Sequence, residues 1–114
     1  MPFNAKTSKL KRVRSQRRAL LKLLAANVIE HKKIHTTEAK AKAVRPFVER
    51  LVTMAKDDSV ASRRYAARYL PQDIVAALHK VAATYRERKG GYMRITKTAP
   101  RRRDNTRMAF IEFV

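Results

Sequence analysis

GGYMRITKTAPRRRDNTRMAFIEFV, residues Gly90–Val114, is the stretch whose reading decides the fold. Between Tyr92 and Lys97 the chain alternates, with Met93 and Ile95 on one side and Arg94 and Thr96 on the other. Met108 to Phe113 is apolar and β-prone. Both segments read as strands, because a period of two places successive side chains on opposite faces. TAPRRRDNTR between them reads as a basic loop. Gly90-Gly91 stops whatever precedes it and allows a tight turn into the first of these strands.

Upstream the period changes to three and four. Val13, Arg17, Leu20, Leu21, Leu24 and Val28 share one stripe, which predicts a helix from about Val13 to His31 with Ser15 or Thr7 as candidate caps. Its basic first turns sit at the positive end of the helix dipole, a placement that favours an external anion. In HKKIHTTEAKAKA, Lys33 to Thr36 reads as a brief strand or extended link. Thr37 then caps a helix from Glu38 to Lys56. Val44, Phe47, Val48, Leu51, Val52 and Ala55 form its stripe, and Pro46 should kink it or mark its true start. Asp57-Asp58-Ser59 signals a third helix, Val60 to Tyr69. Pro71 and Asp73 open a fourth that ends near Arg88, with Ile74, Ala77, Leu78, Val81 and Tyr85 inward. The expected fold is α+β: about four helices packed on a small mixed β-sheet. Residues 1–12 are expected to form a basic extended arm, and residues 13–114 a single α+β domain.

Charge bounds the function. The 114 residues hold 28 Lys+Arg against 9 Asp+Glu, a net charge of +19. Such a chain repels itself until it meets a polyanion. With 45% hydrophobic residues it nonetheless has material for a core. The cations cluster at the two ends. Lys6, Lys9, Lys11, Arg12, Arg14, Arg17, Arg18 and Lys22 precede the first acid, Glu30. Arg86, Arg88, Lys89, Arg94, Lys97, Arg101, Arg102, Arg103 and Arg107 crowd the other end. Arginine forks match phosphate oxygens in pairs and stack on bases. Arg63, Arg64 and Arg68 form a weaker helical cluster, as do Lys40 and Lys42; an exposed solvated face explains these about as well.

Enzyme signals are poor. His31, His35 and His79 have no metal-ligand spacing, there is no cysteine, and Ser15, Ser59 and Ser62 have no base or orienting acid nearby in sequence. Gly90-Gly91 lacks the surroundings of a phosphate loop. No cofactor, metal or small-molecule substrate is expected, and no apolar run is long enough to span a bilayer. Phe47 and Tyr85 read as core, whereas Tyr65, Tyr69 and Tyr92 are candidates to stack on bases. No aromatic strand pattern of the single-strand-reading kind is present, so recognition by shape and phosphate position is expected.

SQRRALLKLLAANVIEHKKIHTTEAKAKAVRPFVERLVTMAK (Ser15–Lys56), RRYAARYL (Arg63–Leu70), GGYMRITK (Gly90–Lys97) and RDNTRMAFIEFV (Arg103–Val114) occur in one order. In this the chain resembles the bacterial large-subunit ribosomal protein L17 family. The resemblance covers nearly the whole chain. The element from Ile34 to Lys42 together with Gly90 to Ile95 makes it specific. It implies a structural, non-catalytic protein in contact with large-subunit ribosomal RNA and with neighbouring ribosomal proteins near the polypeptide exit side. It also implies a cytoplasmic, ribosome-bound location (an organelle ribosome being the variant of it). Family-like RNA contacts fall on Arg17, Arg18, Lys40, Lys42, Arg63, Arg64, Arg94, Lys97 and Arg101. The chain departs from the family pattern at its Met-Pro-Phe-Asn start, at Gln16 where histidine is usual, at Arg103 where glycine is usual and at Arg107 where proline is common. Two rival readings are a free-standing nucleic-acid-binding protein and a membrane-surface peptide. The absence of tryptophan and of strongly one-sided helices disfavours the second.

Overall fold

A computed structural model describes residues 13–114. The expected arm at 1–12, with Lys6, Lys9, Lys11 and Arg12, and the candidate cap Thr7 lie outside the described residues. The elements run α1 (Arg14–His31), β1 (Lys33–Thr37), α2 (Glu38–Ala55), α3 (Val60–Ala67), α4 (Gln72–Thr84), β2 (Met93–Thr98) and β3 (Met108–Phe113).

Helix α1 buries Leu21, Leu24, Ala25, Val28 and Ile29. Its first two turns hold no fully buried residue: Val13 is the cap residue, without a side-chain cap bond, and is 62% exposed. Ser15 therefore lies inside the helix, and the apolar stripe begins later than Val13. Lys32 ends α1 in the left-handed region, φ 66°, where its N–H donates to Val28 O at 2.6 Å. A non-glycine residue there costs roughly 1–2 kcal/mol. That reversal sends the chain directly into β1.

Helix α2 begins at Glu38, where Thr37 Oγ1 accepts the Lys40 N–H at 3.3 Å. Pro46 does not mark the start. It is exposed, and the helix continues past it. The hydrogen bond it cannot donate costs about 3 kcal/mol or more, which burial of Val44, Phe47, Val48, Leu51 and Val52 offsets. Helix α3 starts at a reciprocal cap: Ser62 N–H donates to Ser59 Oγ at 3.1 Å, and Ser59 N–H donates to Ser62 Oγ at 3.2 Å. It ends at Ala67, shorter than the expected Tyr69, because Pro71 forces Leu70 out of helical geometry. Helix α4 stops at Thr84, well before Arg88. Tyr85 leaves the helix at φ −109° and packs its ring 5.4 Å from Tyr92 and 6.2 Å from Phe113. Gly91, at φ 63°, then turns the chain into β2.

The sheet order is β1-β3-β2, with Ile111 of the central strand paired to Ile34 on one side and Ile95 on the other. Both pairings are antiparallel, so the sheet is not mixed. β1 and β2 do run the same way. The last strand returns from the loop and inserts between them, so they never pair. Met93, Ala109 and Ile111 are buried against the helices, with Ile34, Ile95 and Phe113 packed beside them. One core joins this face to α1, α2, α4 and the α3 residue Ala66. Tyr92 is part of it, 1% exposed, its hydroxyl 3.2 Å from Thr53 Oγ1 and its N–H donating to Glu49 Oε2 at 3.0 Å. It is therefore unavailable for stacking on bases. Tyr85, expected in the core, is only half-buried.

Candidate nucleic-acid interface

The cations fall into three groups, and the fold decides their membership. The first lies along α1. Arg14, Arg18 and Lys22 recur at four-residue steps and, with Val13, Ser15 and Ala19, line one shallow cleft. Arg17 stands beside them, half-buried. Lys22 Nζ lies 5.8 Å from the centre of the Tyr69 ring, within cation–π range.

The second group is on α3. Arg64 and Arg68 line a cleft with Tyr65, Thr53 and Met54. Tyr65 and Tyr69 meet edge to face at 5.6 Å, and Tyr69 meets Phe47 at 5.3 Å. The two tyrosines thus join the α1 row to the α3 cluster. Burial pushes the Tyr65 hydroxyl above its ordinary pKa, while the charges of Arg50 and Arg68 pull the other way. Sequence reasoning missed Arg50, an exposed residue on the polar side of α2 whose place beside Tyr65 depends on how α3 packs. Arg63 is turned aside, its Nε and Nη2 on Asp58 Oδ1 at 2.9 and 2.8 Å.

The third group is at the hairpin. Glu38, buried at the start of α2, receives Lys42 Nζ at 2.9 Å and Lys97 Nζ at 3.7 Å. The Lys42 hydrogen bond, then the charges of Lys42, Lys97 and Arg107, hold its carboxyl below the ordinary carboxylate range. Its N–H also donates to Arg107 O at 3.0 Å, tying the loop's end to the helix. Lys42, Lys97 and Arg107, far apart in sequence, are therefore neighbours; Lys40 sits half-buried one turn away. Within the loop Arg101 grips Asp104 through Nε (3.1 Å) and Nη2 (2.9 Å), and the Thr106 N–H adds a bond at 3.2 Å. Arg101, then Thr106, drive the Asp104 pKa well below the carboxylate range. Asn105 takes φ 57° to close the turn. Arg102 and Arg103 are exposed and form no ion pair among the described residues. Arg94 leaves this group: it lies on the outer sheet face, Nε 3.4 Å from Glu112.

One juxtaposition was invisible in the sequence. Ser62 Oγ lies 3.4 Å from His79 Nε2, and Asp58 Oδ1 lies 3.9 Å from the same nitrogen. It is not a catalytic triad. An orienting acid belongs on Nδ1, and that nitrogen is 2.9 Å from Val75 O. Ser62 Oγ is already occupied by the α3 cap and by the Asp57 and Ser59 carbonyls. The cluster clamps α3 to α4. Among the described residues no group of three or more acids and histidines is placed to hold a metal, and no helix is long and apolar enough to cross a membrane.

What emerges is a small, strongly basic α+β protein whose few acids position cations and whose reactive side chains are committed to structure, the class to which ribosomal proteins belong. The family model for ribosomal protein L17 matches residues 20–114. A large ribosomal subunit protein bL17 from Persephonella marina is 48% identical, covering 100% of this chain and 95% of that protein. The chain belongs to the ribosomal protein L17 family, whose members are structural proteins and not enzymes.

Proposed function

We propose that this chain is a structural constituent of the large ribosomal subunit that binds and stabilises folded ribosomal RNA through its basic groups. In this reading residues 1–12 form a cationic arm ahead of one RNA-binding domain, 13–114. Lys6, Lys9, Lys11, Arg12, Arg14, Arg17, Arg18 and Lys22 track phosphates at one end. Arg94, Lys97, Arg101, Arg102, Arg103 and Arg107 do so at the other, with Lys40, Lys42, Arg63 and Arg64 between. The helical core keeps the cations of residues 13–114 at fixed separations, so RNA segments that converge on the protein are held in register. Neighbouring ribosomal proteins near the polypeptide exit side complete its surroundings, in cytoplasmic ribosomes.

The observation that carries this reading is the net charge of +19 on a chain whose core is complete. The 28 Lys+Arg far outnumber the 9 Asp+Glu that could meet them. The test is the affinity of the full chain for large-subunit ribosomal RNA across salt concentrations. Counterion release demands that log affinity fall linearly with log salt, by about 0.7–0.9 per phosphate neutralised. A flat line rejects the proposal. Sedimentation of native lysate separates it from a free-standing nucleic-acid binder, which stays in the light fractions.

A further inference from the structure

The sheet face turned away from the helices carries a feature that phosphate binding does not explain. Its outward side chains are Lys33, His35 and Thr37 on β1, Met108, Phe110 and Glu112 on β3, and Arg94, Thr96 and Thr98 on β2. Phe110 stands at the middle of the middle strand, only half-buried. Its cross-strand neighbour His35 lies with ring centres 4.6 Å apart and planes inclined by 32°. The imidazole is held there by the contact of its Nε2 with Thr98 Oγ1, at 3.0 Å, so the two rings are fixed from both edge strands. Lys33 Nζ lies 4.4 Å from the Phe110 ring centre. Lys33 and Arg94 flank the ring from opposite strands and share Glu112, at 3.9 and 3.4 Å.

We propose that Phe110, backed by His35, is a stacking platform for an unpaired RNA base, with Lys33 and Arg94 taking the phosphates on either side. This rests on the RNA-binding reading and adds to it a contact of a different kind. Charge complementarity selects the occupant. An aromatic ring with an ammonium over it and a guanidinium beside it fits a planar group joined to an anion, which is what a nucleotide is. The threonines at Thr37, Thr96 and Thr98 are short and polar. They leave the ring accessible and offer little apolar area to a protein partner. Lys33 is half-exposed and flexible, so a base settling on Phe110 displaces its ammonium by a short swing toward the adjacent phosphate. The RNA therefore contacts the protein on one more face than the cation clusters indicate.

The test begins with assembled large subunits that carry this chain. They are irradiated with short-wave ultraviolet light, and the peptides that follow Lys33 and Arg107 are read by mass spectrometry. A nucleotide adduct on Phe110 or His35 is expected, and Phe110→Leu removes the adduct at that position. In solution, Phe110→Leu lowers the affinity of the full chain for a single-stranded RNA oligonucleotide about tenfold and leaves the salt slope unchanged. An abasic oligonucleotide of the same length does not distinguish the two proteins, and Phe110→Trp restores binding. Equal affinity of the unaltered chain and Phe110→Leu for the base-bearing strand overturns the platform, as does a crosslink from this face to a neighbouring protein. Loss of salt dependence in the unaltered chain overturns the RNA reading as a whole, so the two failures are distinguishable.

Discussion

The hairpin end and the face formed by α1 and α3 are both crowded with cations, and they hold them in opposite ways. At the hairpin end Arg101 leans on Asp104, and Lys42 and Lys97 lean on Glu38, while Arg102 and Arg103 stand exposed beside them. On the helical face Arg14, Arg17, Arg64 and Arg68 form no ion pair among the described residues, and Lys22 rests over the Tyr69 ring. The difference follows from the backbone beneath. A helix fixes side-chain directions through its own hydrogen bonds, so arginines at four-residue steps are already aligned. The loop over 99–107 and the end of β2 have no such lattice, and there Arg101 and Lys97 are held by carboxylate posts. Six of the chain's nine acids take part in ion pairs. Against 28 cations they are too few to neutralise the molecule but sufficient to set directions.

The comparison breaks most visibly if the common core fails. Phe47, on α2, is 2% exposed in the common core and meets the Tyr69 ring edge to face. Phe47→Ala should cost about 3–5 kcal/mol, read by urea denaturation. Both cation groups should lose their geometry together. If the hairpin ion pairs survived that loss, the two regions would be independent units.

Next in size is a change confined to one region. Replacing Arg102 and Arg103 by Gln should leave folding stability within about 0.5 kcal/mol of the parent. The slope of log RNA affinity against log salt should fall by roughly 2, one for each phosphate no longer neutralised. The same double replacement at Arg64 and Arg68 gives the parallel measurement on the helical face. An unchanged slope at either place removes that cluster from the interface. Smaller again is Thr37→Ala, which withdraws the α2 cap at the point where Glu38 and Arg107 meet. A loss of about 1 kcal/mol is expected, read from thermal melts. No loss would mean that the bond from the Glu38 N–H to Arg107 O secures the helix start alone.

Much of this architecture was legible because one signal dominated locally. The α2 stripe from Val44 to Ala55 is buried as its spacing demands, and Thr37 and Ser59 cap the helices they precede. The change of period after Gly91 located β2 and β3. What failed did so where distant residues overrode local preference. Tyr92 sits next to a glycine turn and looks exposed, but it fills the gap between α2 and the sheet. Tyr85 ends α4 early because Tyr92 and Phe113 wait beside it. Spacing along α2 could put Lys42 beside Glu38, but no spacing rule could bring Lys97 and Arg107 there, or Phe110 beside His35. Those meetings depend on which strand lies in the middle, and sheet order is set by the whole fold.

The smallest effect separates the two regions by pH. Glu38 and Asp104 both have carboxyl pKa values held below their ordinary values of 4.5 and 3.8. A carboxylate depressed by folding binds its proton more tightly in the unfolded chain. Its stabilising contribution is therefore present above the unfolded pKa and disappears as pH falls through the folded one. Thermal stability should decline from about pH 5 downward. The combined replacement of Glu38 by Gln and Asp104 by Asn should lower stability at neutral pH and flatten that decline. High salt should blunt the difference, because the Asp104 pair is exposed and screened. Because both posts stand at the hairpin end, hydrogen exchange at low pH should rise first in the 99–107 loop and the start of α2. Arg14, Arg17, Arg64 and Arg68 form no ion pair among the described residues, and the helical segments that carry them should stay protected over the same range. Exchange that rises evenly across both regions would show that the acids stabilise the molecule at large and do not act as local posts.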